Sequence, residues 1–438
     1  RLMIQCARSP GMAYVVESLM GFEGSEFYIK EWKELVGLTF EEITCRFNDA
    51  IPVGIKLAVH EQPQSVADAD TNANTNTPLT NGHANNQPLH PLVIMNPPNN
   101  HKIRPGDKII VLAEDDDSYT VNEGSYEKMK LERNREFRRS RSINDFTEKL
   151  LFCGWRRDMA DMIMQLDQVV KKGSELWLFN LVPPQERINL LKDEGNKVTL
   201  NTVNLTVKNA VGNPIVRRHL KCLEELNWDG SPTGDTITLD EFNSLLILAD
   251  SAAVKNCTGM QQSDSRCLAS LLIMQDIQRE LRQEKLQMSP QDKRCENNGI
   301  ITEILDSRTR TLLKVANCKG YVMSNIIVSS AIAQVAEDRD MNAVIGELLS
   351  AKGNNVFIRN IGYFLDLSDK TDIDTNVFSF WDVALQARQF NEIAIGFKAA
   401  ELPYDMFSSE QMLNPLNKHE KRTWHAGDVI FVIALNRD

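Results

Sequence analysis

The feature that most constrains the fold is a pattern that occurs twice, near the beginning and near the end of the chain. Each copy runs from an apolar-Gly-apolar-Lys segment through an Asn-Pro pair to a Gly-Asp pair followed by apolar residues. These elements stand at 53–56, 96–97 and 106–112 in the first copy and at 395–398, 414–415 and 427–433 in the second. Asn-Pro and Gly-Asp are turn sequences, and the apolar runs beside them fit strands. We therefore predict a duplicated small α+β module.

The segment between the two copies is predicted to be an α/β domain. A helix is predicted between Asp158, which can cap its start, and Gly173, because apolar residues recur there every three or four positions. Strands are predicted at 150–153, 175–179, 198–207, 245–249 and 300–305, and another helix at 214–226. Alternation of this kind is typical of a parallel sheet with helices on both faces, which is a Rossmann-like arrangement.

Two segments do not fit a packed core. Residues 61–90 are polar and rich in asparagine, so they cannot bury enough surface to offset the entropy of ordering, and we predict a disordered insert. Residues 115–146 begin with acidic and end with basic residues, and we predict a linker with solvated charges. The predicted units are therefore 1–114, 147–298 and 299–438.

Composition excludes several classes of protein. The net charge of −11 disfavours binding to polyanions, so we expect no nucleic-acid partner. The 8 cysteines are scattered without a Cys-x-x-Cys pair, which argues against a zinc module or a disulfide framework and favours a reducing compartment. No apolar stretch approaches the roughly 18 residues of a membrane span.

Seven short stretches carry a resemblance to a known family. The most specific is Cys-Gly-Trp-Arg-Arg-Asp at 153–158, and the others stand in family order at 1–8, 47–56, 113–117, 173–177, 217–220 and 336–339. A Rossmann-like unit followed by a small module resembles the RCK domains, which regulate potassium conductance and build the gating rings of ligand-controlled cation channels. The closer resemblance is to the CASTOR and POLLUX family of plant nuclear-envelope cation channels.

The resemblance implies a non-enzymatic, regulatory role. On this interpretation the chain contains the C-terminal part of a first RCK unit and all of a second, while the pore helices, the filter and the first Rossmann half lie upstream of Arg1. Identical subunits would form a tetrameric ring beneath a pore that conducts potassium, calcium or both across the nuclear envelope. The helices predicted at 324–336 and 341–349 would pack between units. The insert at 61–90 and a second loop insertion at 230–240 depart from the family pattern.

The first βα turn of a Rossmann unit is where a nucleotide pyrophosphate would lie. Here that turn retains one glycine, Gly154, and Trp155 occupies space that phosphate would need. The following strand ends at Asn180 rather than at an acidic residue that could hold ribose hydroxyls. NAD binding is therefore disfavoured. Arg156 and Arg157, together with Gly154, are candidates for an anion contact, and the alternative is an ion pair within or between subunits.

The acidic run Glu114, Asp115, Asp116 and Asp117 is the candidate metal site. It directly follows a predicted strand, and clustered carboxylates on a loop suit Ca²⁺, which takes several oxygen ligands. The alternative is a solvated charged loop, since the run lacks the spacing of an EF-hand. Ca²⁺ is the one cofactor that we consider.

Other charged residues have structural alternatives. Asp250 ends a predicted strand, and Asp264 and Arg266 begin the next helix, so they could contact a ligand or another subunit, or form a helix-cap network. We interpret His219 as structural and the charged run Glu337, Asp338, Arg339 and Asp340 as a salt-bridge cluster between helices. No catalytic motif is recognisable in the sequence.

Two rival functions belong to other classes. The first is a soluble nucleotide-binding RCK subunit that regulates a separate potassium transporter, and the second is a Rossmann dehydrogenase. Both would need the glycine-rich pyrophosphate loop that the turn at 153–158 lacks.

Overall fold

A computed structural model describes most of the chain. The described residues are 2–9, 11–21, 24–58, 93–117, 119–122, 146–192, 202–249, 259–288, 299–315, 320–350, 353–365, 376–400 and 413–435. The predicted insert at 61–90 and most of the predicted linker at 115–146 lie outside them. Within the described ranges, no helix combines the length and the apolar character needed to cross a membrane.

The N-terminal module consists of two helices and an antiparallel sheet. Its elements are α1 (Leu2–Arg8), α2 (Met12–Met20), β1 (Glu26–Lys30), α3 (Phe40–Ile43), β2 (Ala50–Lys56), β3 (Val93–Met95) and β4 (Lys108–Ala113). The strands lie in the order β1-β4-β2-β3. The short helix α3 begins at a capping box in which Thr39 and Glu42 satisfy each other's backbone N–H groups.

The central domain is built on an eight-stranded sheet. Its elements are β5 (Lys149–Cys153), α4 (Met159–Asp167), β6 (Ser174–Asn180), α5 (Pro184–Lys192), β7 (Leu205–Val211), α6 (Arg217–Lys221), β8 (Leu223–Leu226), β9 (Pro232–Ile237), β10 (Ser244–Ile247), α7 (Met260–Met288), β11 (Gly299–Ile304), α8 (Arg310–Val315) and β12 (Tyr321–Met323). The strand order is β12-β11-β10-β5-β6-β7-β8-β9. In this order, neighbouring strands from β12 through β7 pair in parallel, whereas β8 pairs antiparallel with β7 and β9 pairs antiparallel with β8.

Both faces of this sheet are covered. Leu150 and Phe152 of β5 belong to the core that includes the apolar residues of α4, whereas Leu151 and Cys153 belong to a second core with α7. Successive strand residues point to opposite faces, so a strand that is apolar throughout must be buried on both sides. The predicted parallel α/β fold class is confirmed.

The central domain differs from the prediction at three places. Its sheet continues through β11 and β12, past the predicted boundary at 298, because these strands pair with β10 and with each other. β7 starts only at Leu205, where the Asp167 carboxylate accepts backbone N–H groups of residues 203–205. The predicted helix 214–226 stops at Lys221 because Cys222 is extended and β8 follows, and the predicted loop insertion at 230–240 contains β9.

The C-terminal module repeats the N-terminal one. It comprises α9 (Ser324–Glu337), α10 (Met341–Leu349), β13 (Asn354–Asn360), β14 (Val377–Ser379), α11 (Phe380–Gln389), β15 (Glu392–Lys398), β16 (Lys421–Thr423) and β17 (Val429–Leu435). Its main sheet has the order β13-β17-β15, which corresponds to β1-β4-β2. The equivalent strands β2 and β15 each carry a bulge next to the motif glycine, between Pro52 and Gly54 and between Ala394 and Gly396. The predicted duplication is confirmed.

The Gly-Asp turns are equivalent as well. The buried Asp107 carboxylate accepts the N–H groups of Ala58 and Arg104, each at 2.9 Å. Asp428 accepts those of Ala400 and His425 in the same way, at 2.8 and 3.0 Å. Each aspartate therefore ties the turn before one strand to the end of its neighbour, which explains the motif in structural terms.

Candidate functional site

A crevice opens at the carboxyl ends of β5 and β10. The chain proceeds from β5 towards β6 on one side and from β10 towards β11 on the other, so the strand order reverses between these two neighbours. Ligands of open α/β sheets bind at such a reversal point. The crevice is lined by backbone and side chains that include Gly154, Asn180, Leu248, Ser263, Arg266 and Ser270.

Gly154 is required by the packing of the sheet ends. Its φ is 105°, and a Cβ atom added there would lie 2.8 Å from the backbone oxygen of Leu248. Its N–H donates to the carbonyl of Phe179 at 3.0 Å, and Trp155 beside it is buried. The glycine therefore allows one chain segment to approach another, and the turn offers little of the open backbone that a pyrophosphate uses.

The two candidate arginines differ in their surroundings. Arg156 binds Asp158 with an Nε–Oδ1 distance of 2.8 Å and also binds Glu303, which is fully buried at the end of β11. The second Glu303 oxygen accepts the N–H of Ala249 at 3.0 Å. Burial alone would lower the pKa of Arg156, but the two carboxylates outweigh it and raise the pKa. Arg157 is exposed.

This geometry favours the structural alternative for Arg156. Asp158 stands at the N-cap position of α4, but its side chain makes no capping hydrogen bond because it binds Arg156 instead. The predicted cap role is therefore wrong in its detail. An anion contact through Gly154, Arg156 and Arg157 stays a prediction, and Arg156 could serve it only by exchanging a carboxylate partner.

The acidic run after β4 is exposed at all four residues. Asp116 pairs with Lys30, with an Nζ–Oδ1 distance of 2.8 Å, and its Oδ1 accepts a hydrogen bond from the Tyr119 hydroxyl at 3.3 Å. Burial, and then the carboxylates nearby, raise the pKa of Tyr28 to about 12. In the part of the chain that the structure covers, no three acidic, histidine or cysteine side chains converge as metal ligands would. The calcium site at Glu114–Asp117 stays a prediction.

The charged residues around α7 divide into two groups. Asp264 is buried, and its carboxylate accepts the N–H groups of Leu305 and Asp306 at 2.9 Å and the Thr309 hydroxyl at 3.0 Å. This agrees with the structural network predicted for it. Arg266 instead lines the crevice, and Asp250 lies outside the described residues.

The contacts agree with the predicted structural role of His219, whereas the charged run 337–340 pairs with a strand of the other module. Nδ1 of His219 accepts the N–H of Asn213 at 3.1 Å, which holds the turn before α6. Lys56 at the end of β2 forms an ion pair with Asp340, in the turn between α9 and α10. The charged turn 337–340 therefore connects the two modules, and the predicted salt-bridge cluster between helices is not seen among the described residues.

The two modules meet through their Asn-Pro turns. Asn96 and Asn414 have φ values of 50° and 45°, and Nδ2 of each donates across the interface. Asn96 donates to the carbonyl of Asn391 at 2.6 Å, and Asn414 donates to that of Asp49 at 2.7 Å. The two acceptors are equivalent, because Asp49 immediately precedes β2 and Asn391 immediately precedes the equivalent strand β15. The contact therefore has an approximate twofold character.

Two buried cations belong to the same interface. The Arg388 guanidinium, on α11, donates to Asn96, to the carbonyl of Pro97 and to Asn99, and it lies 5.1 Å from the centre of the Phe40 ring. Lys418 Nζ donates to the carbonyl of Asn48 at 2.6 Å. Burial lowers the pKa of Arg388 to about 10 and that of Lys418 to about 7.

Comparison with known proteins identifies the family. The family model described as "Castor and Pollux, part of voltage-gated ion channel" matches residues 1–68. Over 99% of the chain, the sequence is 35% identical to the probable ion channel POLLUX of Arabidopsis thaliana and 36% identical to the ion channel DMI1 of Medicago truncatula. The chain belongs to the CASTOR and POLLUX family. It spans less than half the length of these relatives, 46% of the first and 44% of the second.

The fold is also that of a solved assembly. The human SLO3 gating ring aligns with 100% of this chain at a TM-score of 0.54 and 10% sequence identity, and the match covers 75% of that chain. The prediction of RCK units in this member of the CASTOR and POLLUX family is therefore confirmed at the level of fold.

The sequence analysis did not single out three buried charged residues that bind distant parts of the chain, namely Glu303, Arg388 and Lys418. Glu303 stands in an otherwise apolar strand, and Arg388 stands in a helix that is largely buried. A charged residue inside an apolar pattern indicates a specific partner, because an unpaired buried charge is costly. Lys418 had no such signal, because it lies in an irregular segment between polar residues.

Proposed function

We propose that the whole protein is a cation channel and that this chain forms part of its gating ring, without catalytic activity of its own. Tandem RCK units would couple ligand binding to the opening of a pore formed elsewhere in the protein. The relatives named as ion channels and the gating-ring fold support this proposal. A ligand that prefers one arrangement of the units shifts the pore equilibrium by no more than its difference in affinity.

The observation that carries the proposal is the unequal burial of two equivalent helices. α1 is the first helix of the N-terminal module and packs its buried residues, such as Ile4 and Cys6, near β10 and β11 of the central sheet. α9 is the equivalent first helix of the C-terminal module, yet its Val328 and Ile332 are 57% and 65% exposed. The duplication supports a second Rossmann-like sheet that covers α9 in the same way, as expected for a tandem RCK pair.

The assembly and the location follow from the family resemblance. We propose identical subunits in a tetrameric ring attached to an upstream transmembrane pore region, in the nuclear envelope, with potassium, calcium or both as the permeant ion. An interface rich in exposed apolar residues, such as that on α9, is suited to contacts between units.

Single-channel recording of the full-length protein in planar bilayers tests this function. We expect cation currents, and we expect Arg388→Met to change the open probability while the conductance of a single open channel stays the same. The reason is that Arg388 joins the two modules and the pore lies elsewhere. Arg308→Met is the matched control, because its ion pair with Asp306 is local and its side chain is 74% exposed. The absence of cation current, or an effect on conductance alone, would contradict the proposal.

A calcium titration of the same currents tests the proposed ligand. We expect Ca²⁺ to change the open probability, and we expect the combined change of Asp115, Asp116 and Asp117 to Asn to weaken the effect. Lys30→Met removes the partner of Asp116 without removing a carboxylate, and it serves as the control. A calcium response that survives the triple change would place calcium binding elsewhere while leaving the gating-ring proposal intact.

A further inference from the structure

We propose that the crevice at the carboxyl ends of β5 and β10 binds a small oxyanion between the Asn180 side-chain amide and the Arg266 guanidinium. This site is distinct from the first βα turn, where Arg156 is held by carboxylates. It does not depend on the channel function proposed above.

Asn180 supplies a buried donor that has no acceptor. The residue is 1% exposed, and its Oδ1 accepts the N–H of Val182 at 2.9 Å. Because an N–H group must face the oxygen, this bond fixes the orientation of the amide and turns Nδ2 away from Val182. Nδ2 is buried without a partner among the described residues. A buried donor without an acceptor destabilises the folded state, so a bound acceptor would remove that cost.

Arg266 supplies the charge. It lies near the start of the 29-residue helix α7, lines the crevice, and forms no ion pair with any residue that the structure describes. The nearby Asp264 carboxylate does not neutralise it, because Asp264 faces the N–H groups of Leu305 and Asp306. A guanidinium offers a planar fork of donors that matches an oxyanion.

The remaining lining favours an anion over a cation. Ser263, in the first turn of α7 at the positive end of the helix dipole, and Ser270, further along the same helix, are buried hydroxyl-bearing residues of the lining. No acidic residue is among the described residues that line the crevice. Glu303, on the neighbouring strand, is already bound by Arg156 and the N–H of Ala249. Donors without a carboxylate suit phosphate or a carboxylate group and disfavour a metal ion.

The crevice is too restricted for a whole dinucleotide. Trp155 is buried at the turn where the pyrophosphate would lie, and a Cβ atom at Gly154 would already touch Leu248. We therefore assign the site to an oxyanion of a few atoms, such as inorganic phosphate, or to a phosphate group at the end of a larger ligand.

Thermal unfolding and isothermal titration of the 438-residue chain with inorganic phosphate test the site, with chloride at matched ionic strength as the reference. We expect saturable stabilisation by phosphate, and about tenfold weaker binding in Arg266→Gln, since one charge-assisted hydrogen bond is worth about 1.5 kcal/mol or more. Asn180→Asp keeps the acceptor for Val182 but places a carboxylate oxygen where Nδ2 was, and we expect it to abolish binding. AMP, titrated in parallel, distinguishes free phosphate from a phosphate group on a nucleotide.

Arg157→Gln is the matched control, because Arg157 is exposed on the first βα turn and outside the crevice. We expect it to bind phosphate like the original chain. The proposal is overturned if phosphate and AMP have no saturable effect, or if Arg157→Gln weakens binding while Arg266→Gln does not. Should Asn180→Asp fail to fold, Arg266→Gln decides alone, because this partly exposed residue can be changed with little effect on unfolding in chloride.

Discussion

At the scale of single residues, Lys418 links the interface between the modules to pH. It is 2% exposed, and burial lowers its pKa to about 7 in the folded state, against about 10.4 in an unfolded chain. Between these values the unfolded chain binds the extra proton, so the free energy of unfolding rises with pH. Below about pH 7 both states are protonated and the dependence disappears.

We therefore expect Lys418→Met to remove part of this pH dependence. Between pH 7.0 and 8.5, the free energy of unfolding of the original chain should gain about 2 kcal/mol relative to Lys418→Met, at about 1.36 kcal/mol for each pH unit. Urea unfolding at several pH values measures the difference, and cysteine and tyrosine titrations cancel in it. Lys421→Met is the control, because Lys421 is exposed. Parallel pH profiles for the original chain and Lys418→Met would contradict the prediction.

Gly154 provides a second test at this scale. We expect Gly154→Ala to lower the free energy of unfolding by about 3 kcal/mol, because φ is positive and the new Cβ atom would lie 2.8 Å from the Leu248 oxygen. Gly346→Ala is a matched control in α10, where an added Cβ atom meets nothing within 4 Å. It should raise stability by about 1 kcal/mol, since alanine is the better helix former. Chemical denaturation measures both, and a neutral Gly154→Ala would refute the packing argument.

At the scale of elements, the two Asn-Pro turns make equivalent contacts, but we expect them to contribute unequally to the free energy of unfolding. Nδ2 of Asn96 donates across the interface both to the carbonyl of Asn391, at 2.6 Å, and to Oδ1 of Asn354, at 3.3 Å. Its Oδ1 also accepts from Arg388, whereas the Asn414 side chain makes a single bond across the interface among the described residues, to the carbonyl of Asp49. Truncating Asn96 therefore leaves part of a buried guanidinium without an acceptor, whereas truncating Asn414 removes a single donor.

We expect Asn96→Gly to cost about 2 kcal/mol of unfolding free energy and Asn414→Gly about 1 kcal/mol. Glycine tolerates the positive φ at both places, so the difference reports side-chain contacts rather than backbone strain. A double-mutant cycle with Arg388→Met should give a coupling energy near 1 kcal/mol for Asn96 and near zero for Asn414. Equal coupling at the two positions would show that Arg388 does not act through Asn96.

At the scale of the whole molecule, the face of α9 that contains Val328 and Ile332 is exposed in this chain, and we propose that it is covered in the full-length protein. We expect the pair Val328→Gln and Ile332→Gln to change the unfolding free energy of the 438-residue chain by less than about 0.5 kcal/mol, because both side chains are exposed. In the full-length protein the same pair should weaken assembly, because a second Rossmann-like sheet would cover this face.

Size-exclusion chromatography with light scattering, on the full-length protein in detergent, measures that assembly. Val203→Gln is the control, because Val203 is 72% exposed and lies outside α9. Full-length protein that elutes identically with and without the α9 changes would contradict the proposed packing.

Local patterns were enough to predict most of the architecture. The apolar runs that became β5, β6, β10 and β11 and the repeated turns at Asn96 and Asn414 could all be recognised in short windows, because strand period and turn chemistry are properties of neighbouring residues. Element boundaries were less predictable. The end of α6 at Lys221 and the late start of β7 depend on contacts with distant residues.

The candidate sites were harder to predict from the sequence than the secondary structure was. The acidic run at 114–117 was conspicuous in the sequence, yet the structure leaves all four side chains exposed. For Arg266 the sequence left a ligand contact and a helix-cap network open, and only the structure places it at the crevice. Its unsatisfied neighbour Asn180 gave no sign beyond the absence of an acidic residue. Whether a polar group is satisfied depends on its surroundings in three dimensions, and sequence spacing does not report them.

The sequence by itself determined the α/β class, the duplicated module and the family, because hydrophobic period, turn residues and short specific strings are all local. Only the tertiary structure decided which charged residues form ion pairs or hydrogen bonds with distant residues and which do not. Arg156 meets Glu303 across 147 positions, and Arg388 meets Asn96 across 292. Such pairs form only when distant elements are brought together, and burial then makes their hydrogen bonds obligatory.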